Sequence, residues 1–260
     1  MSTLTLASDP KDAAAVEAVE AHHAQLAGGL AGRVAMLIAA ADRDPAEAEE
    51  VRTGLVAFCD RDLLPHAVAE ESTLYAAARD LPEARLLIDG MLAEHRRLAA
   101  LVEALRGTGS AVRAAADGRA LQVLFEEHLD KENDLVLPLL AGAPDISLAD
   151  LLGGMHELLG GGEEGEGEPS GGGCGGTCGC GGSDDADVPE LDVREVPHAL
   201  RHATVFGALG AVPAGRAMLL VAPHDPLPLL RQIEERHPGV FSVEYQQRGP
   251  EAWRLLLTHR

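Results

Sequence analysis

Four separate stretches of this chain repeat apolar residues three or four apart, and each one interrupts its apolar face with a histidine. The rows are Val16, Val19, His23, Leu26, Leu30, Val34 and Leu37; then Leu63, His66, Glu70 and Leu74. The third is Ile88, Met91, His95, Leu98, Val102 and Leu105, and the fourth is Leu121, Leu124, His128, Glu132, Leu135 and Leu139. That spacing is the period of a helix with one side in a core. Polar groups in such positions cost several kcal/mol when buried without a partner, so they need one.

Two of the four rows add a glutamate four residues after the histidine, His66 with Glu70 and His128 with Glu132. Side chains at i and i+4 stand one above the other on a helix. An imidazole and a carboxylate so placed reach one metal ion or two adjacent ones. Four histidines and two glutamates on four apolar faces predict a dinuclear site inside a four-helix bundle. The adjacent His22, Glu71 and Asp130 fall off these faces, and the sequence predicts them at the surface.

The paired His-x-x-x-Glu motifs and two lone histidines resemble the hemerythrin-like, or HHE cation-binding, family over roughly residues 10–140. The resemblance implies an up-down four-helix bundle around a non-haem, oxo-bridged centre of two iron ions. His23, His66, His95 and His128 would supply nitrogen, and Glu70 and Glu132 would bridge or cap the irons. Worm hemerythrins use five histidines. The four here are closer to the bacterial iron-centre repair subgroup.

Punctuation residues set the expected helix ends. The first helix should open near Pro10, behind Ser8 or Asp9, and run to about Ala40. Asp44 and Pro45 should cap and open the second, which runs to about Ala78 with a kink at Pro65. The third should open at Asp80 or Leu81 with Pro82 and end near Gly107. The fourth should follow Ser110, break near Asp117-Gly118, and close at Pro138. Ser147–Leu159 reads as a short fifth helix over one end of the bundle, completing a domain at 8–159.

Residues 160–187 change character abruptly. Glycine at that density cannot offset the entropy of a packed fold, so an acidic flexible linker is expected. It carries Cys174, Cys178 and Cys180, a C-x3-C-x-C spacing that matches neither structural zinc pairs nor common cluster motifs. Metal or redox use and a plain thiol-bearing tether both remain open. Cys59, on an apolar face, reads as a buried thiol.

Residues 188–260 alternate strand-like and helix-like runs: 191–196, 197–209, 217–222, 227–237, 241–247 and 252–258. The order β-α-β-α-β-β predicts a small two-layer domain, so the whole chain is α plus α/β. Asp225 should cap the second helix. Leu191-Asp-Val-Arg194 and His224-Asp-Pro226 are similar to TusA/SirA-like domains, and to the domain of unknown function found fused to hemerythrin-like bundles. TusA carriers begin their first helix with Cys-Pro. Here that region reads Val196-Pro-His-Ala-Leu-Arg-His202, so sulfur relay by that cysteine is excluded. An exposed cluster of Arg194, His202, His224 and Asp225 remains, beside a helix N-terminus that favours anions.

Composition narrows the function. A formal net charge of -21 argues against nucleic acid and anionic membranes as partners. Aromatics are 3% of residues, so the cores rest on Ala, Leu and Val. The N-terminus lacks a basic, apolar leader, no run reads as a membrane span, and a reducing cytoplasm is expected. The readings are a sensor or carrier of dioxygen or nitric oxide, with a possible protein partner on the C-terminal domain, or an iron-donating repair factor or NO- or peroxide-reducing enzyme. Iron storage lacks any cage-forming feature.

Overall fold

A computed structural model describes residues 10–158 and 188–260. The linker cysteines Cys174, Cys178 and Cys180 and the Ser8/Asp9 cap lie outside the described residues. The chain is α plus α/β, as its periodicities predict.

Helix α1, Pro10–Arg43, runs a turn beyond the expected end. Asp44 caps α2, Pro45–Phe58, accepting from Ala46 N at 2.9 Å, with Pro45 at the first helical position. Then comes a π-helical turn, Cys59–Leu63, in which Leu64 N donates back to Cys59 O. Helix α3, Leu64–Ser72, follows, then a break at Thr73 and α4, Leu74–Arg79. The widened turn explains how the chain tolerates Pro65. In a regular helix the ring would press on the carbonyl four residues back and leave it without a donor.

Helix α5 spans Arg85–Gly107 and begins later than Pro82 suggested, because Leu81–Ala84 form turns first. Helix α6, Ala111–Lys131, is capped by Ser110 and does not break at Asp117-Gly118. Gly118 is buried there. A Cβ on it would lie 3.4 Å from Leu37 Cδ2 and 3.6 Å from Leu55 Cδ2, ordinary contact distances, so the position lies in a helix–helix contact rather than in a turn.

Pro138 does not end the fourth helix either. A second π-helical turn, Glu132–Val136, precedes it and lets α7, Leu137–Ala141, continue. The extra residue rotates everything after it. Leu135, predicted on the core face, is therefore 46% exposed, while Val136, Leu137 and Leu140 are buried. Helix α8, Leu148–Leu158, packs across the bundle end, and the buried Asp12 of α1 accepts from its Ala149 N at 2.9 Å.

The C-terminal domain is one sheet in the order β1-β2-β4-β3 with two helices. Strand β1, Glu190–Asp192, pairs parallel with β2, Ala217–Ala222. Strands β3, Phe241–Arg248, and β4, Trp253–His259, complete it in antiparallel register. Helix α9 is Arg201–Leu209 and α10 is Leu227–Arg236. Asp225 does not cap α10; its carboxylate accepts from Tyr245 Oη at 2.8 Å, and Pro226 occupies the cap position.

The two domains share a core. Leu26, Ala27, Leu30, Val34 and Leu37 of α1 belong to one apolar cluster with Val205, Ala208 and Leu209 of α9 and Leu229 and Ile233 of α10. Here α1 and α9 touch backbone to backbone. A Cβ on Gly32 would lie 2.1 Å from Thr204 O, and one on Gly207 would lie 2.5 Å from Gly29 O. Packed on both sides, α1 is apolar most of the way round. By length and composition alone it would pass as a membrane span, which the sequence reading missed.

Candidate metal centre

The bundle has two apolar clusters rather than one continuous core. Leu26, Leu63, Leu98, Phe125 and Leu129 belong to the first. Val19, Ala69, Leu74, Met91 and Val136 belong to the second. In each histidine row the neighbours on one side fall in one cluster and those on the other side in the other. The predicted ligands therefore occupy the layer between the clusters. His23, His66 and His128 are 1% exposed, Glu70 and Glu132 are 0%, and His95 is 6%.

All six predicted residues come together, in two groups. Donor atoms of His23, His66, Glu70 and Glu132 lie within 4.8 Å of one another, and so do those of Glu70, His95 and His128. Glu70 belongs to both groups, one oxygen to each. Its Oε1 stands 2.7 Å from His66 Nε2 and 3.3 Å from His23 Nε2. Its Oε2 stands 3.5 Å from His95 Nε2. Glu132 Oε2 lies 3.6 Å from His23 Nε2 and 3.9 Å from His128 Nε2.

These atoms converge without pairing. His23 Nε2, both nitrogens of His66, both oxygens of Glu70 and Glu132 Oε2 are buried with no hydrogen bond of acceptable geometry. Orphaned buried polar atoms of this number are rare in folded proteins. Lone pairs pointed at a common space are what a cation needs, so the residues fit a metal centre.

The outer nitrogens are held from behind. His95 Nδ1 lies 2.9 Å from Glu71 Oε1, His128 Nδ1 lies 3.0 Å from Glu94 Oε2, and His23 Nδ1 lies 2.8 Å from Asn133 Oδ1. Ionised carboxylates only accept, so His95 and His128 carry hydrogen on Nδ1 and turn the Nε2 lone pair inward. Lys131 pairs with Glu94 and, with the His128 ring, holds its carboxyl below the ordinary range despite partial burial. Tyr75 Oη donates to Glu132 Oε1 at 2.5 Å and lies 3.2 Å from His128 Nε2, and its ring stacks on His95.

The two carboxyl groups are driven in opposite directions. Burial opposes ionisation of Glu70, but the charge of His66 and the close imidazoles of His23 and His95 outweigh it and hold the carboxyl well below its usual value. Burial and the Glu70 charge push Glu132 well above it. A cation held between them would favour the ionised form of both. Burial, then the neighbouring His95, pushes His128 down to about 4.

Sequence reasoning missed Tyr75, Glu94, Asn133 and the role of Glu71, because each acts across a helix–helix contact that spacing along one helix does not display. Glu71 is off the ligand face and its side chain is 41% exposed, as expected, yet it orients His95 rather than merely charging the surface. His22 is not a solvated histidine. It is half-buried with its ring centroid 5.0 Å from that of His66, and burial and the His66 charge lower its pKa to about 4.

Residues 14–140 match the family model described as Hemerythrin HHE cation binding domain. The chain carries a hemerythrin HHE domain. Residues 190–259 match a second family, described as Uncharacterized conserved protein (DUF2249), so the chain joins two domains, the second from a family without an assigned function. No curated protein and no solved structure matches the chain. The six ligand candidates all fall inside the hemerythrin match.

In the C-terminal domain the expected cluster is rearranged. Arg194 pairs with Asp192 at 2.6 Å, and Asp225 is taken by Tyr245. His202 and His224 do come together around a small cavity, joined by His198 and Arg201.

Proposed function

We propose that the hemerythrin domain holds two iron ions and binds a diatomic gas, dioxygen or nitric oxide, as a sensor or carrier in oxidative or nitrosative stress, within the cytoplasm. The observation that carries this reading is Glu70, whose two oxygens face two separate sets of histidines. A carboxylate divided in this way suits two adjacent cations better than one. A pair of iron ions would supply reversible electron transfer and open coordination positions for a small ligand.

The residues around the site support binding more than turnover. The apolar clusters on either side exclude water and keep the local dielectric low, which strengthens every charge interaction inside. Tyr75 holds its proton at Oη, since burial and the charge of Glu132 raise its pKa, and it donates that hydrogen to Glu132. Glu94 and Glu71 fix the rings of His128 and His95. Docking of the C-terminal domain on α1, the helix that carries His23, gives a change at the centre a direct mechanical neighbour.

Metal analysis and a visible spectrum of protein grown with ample iron, before and after nitric oxide, test the proposal. The expected result is about two irons per chain, an oxo-bridge absorption band, and a reversible spectral change. Full loading with one zinc would sink the di-iron reading. Steady consumption of nitric oxide would replace binding with catalysis.

A further inference from the structure

The C-terminal domain has a polar cluster that the metal centre does not use. Strands β1 and β2 run parallel, so their carboxyl ends, near Val193 and Ala222, share one edge of the sheet. Ligands of open parallel sheets gather at such edges. A cavity of about 100 Å³ lies there, between the strand ends, α9 and the start of α10. Its walls include the buried Val193, Val205, Ala222 and Leu229. Among the described residues, the polar groups that line it are His198, Arg201, His202 and His224, with no acidic side chain.

That lining runs against the composition of a chain with formal net charge -21. The nearby acid, Asp225, is held by Tyr245 and does not line the cavity. The Arg201 guanidinium is anchored by Nε donating to Val196 O at 3.0 Å, so the bond that positions it leaves its terminal nitrogens uncommitted. Among the described residues, His224 makes only a long 3.4 Å contact to the Asp225 carbonyl. Four N–H-bearing side chains above an apolar hollow match a ligand with oxygens at one end and carbon at the other. The guanidinium fork matches a carboxylate in particular.

We propose that this cavity binds a short-chain carboxylate, its oxygens on Arg201, His202 and His224 and its carbon chain against Val205, Ala222 and Leu229. The site stands apart from the metal centre and does not depend on its identity.

Butyrate, acetate and inorganic phosphate, each titrated into the full-length protein by calorimetry or by NMR of the histidine rings, test it. Butyrate should bind, and acetate should bind roughly tenfold more weakly for want of two methylenes. Phosphate should bind no better than acetate. His202→Gln with His224→Gln should weaken butyrate roughly tenfold. Both side chains are exposed, so the fold should stand, and circular dichroism and unchanged iron content would show that it does. Arg201→Gln should weaken binding further. Absence of millimolar butyrate binding would overturn the proposal. So would phosphate binding as tightly as butyrate, or butyrate affinity indifferent to all three substitutions.

Discussion

Glu70 and Glu132 are chemically identical and adjacent, yet their surroundings drive them apart, one ionised among imidazoles and the other pushed toward its neutral form. That split makes a graded series of substitutions informative. Glu70→Gln replaces one of the two oxygens shared between the histidine sets by an amide nitrogen and removes the negative charge, and should lose most of the metal. Glu94→Gln keeps every ligand but loosens the hold on His128, and should weaken metal binding about 10–100-fold. Glu71→Gln should act in the same direction through His95. Metal content and competition with a chelator measure all three. Equal retention in Glu70→Gln and the native protein would remove Glu70 from the site. Cys59 gives a contrasting residue-scale expectation. Burial, then the charge of Asp60, pushes its thiol up to about 12. Alkylation at mild pH should leave the Cys59 peptide unmodified in folded protein and label it only in denaturant.

At the scale of elements, the helices are shaped by their departures from regularity. The two π-helical turns each come just before a proline, at Pro65 and Pro138, and each adjoins a ligand pair. The second begins on Glu132 itself. Gly118 is the reverse case, a glycine inside the regular α6 that faces Leu37 of α1 and Leu55 of α2. Gly118→Ala places a methyl at ordinary contact distance and gains helix propensity, so thermal stability should hold or rise by up to about 1 kcal/mol. Gly118→Leu overfills the same space and should cost about 1–3 kcal/mol. Similar melting temperatures for the two variants would refute the packing role. Asp12 ties α8 to α1 through Ala149 N. Asp12→Ala should cost about 0.5–2 kcal/mol and speed amide exchange in α8 selectively.

At the scale of the molecule, α1 is the shared wall. It carries His23, and about one to two turns further on its glycines Gly28 and Gly32 meet α9. A side chain at Gly32 meets backbone atoms of Thr204 and Ala208 at 2.1 and 2.4 Å, which no rotamer change relieves. Gly32→Leu should therefore separate the C-terminal domain from the bundle while leaving the six ligands in place. Small-angle scattering should show a larger radius of gyration, with metal content preserved. Unchanged scattering would mean the interface yields without parting. Loss of metal along with docking would show that α1 itself is distorted.

The sequence alone determined what depends on position along one element. Phase on a helix placed His23, His66, Glu70, His95, His128 and Glu132 on buried faces, and alternation laid out the β-α-β-α-β-β order of the second domain. Both are local regularities that burial imposes on the chain. What turned on contacts between elements was decided only by the tertiary structure. Leu135 points outward because a π-helical turn shifts phase, and the sequence marks that turn only by a proline further on. Gly118 and Asp117 look like a break until the neighbouring helix that fills the space is in view. Glu94, Glu71 and Tyr75 support the centre from other helices, and no spacing in the chain records which helices meet. The join between the domains is of the same kind. Gly28 and Gly32 lie far from Gly207 in sequence, and only packing shows that the absent side chains let two helix backbones touch.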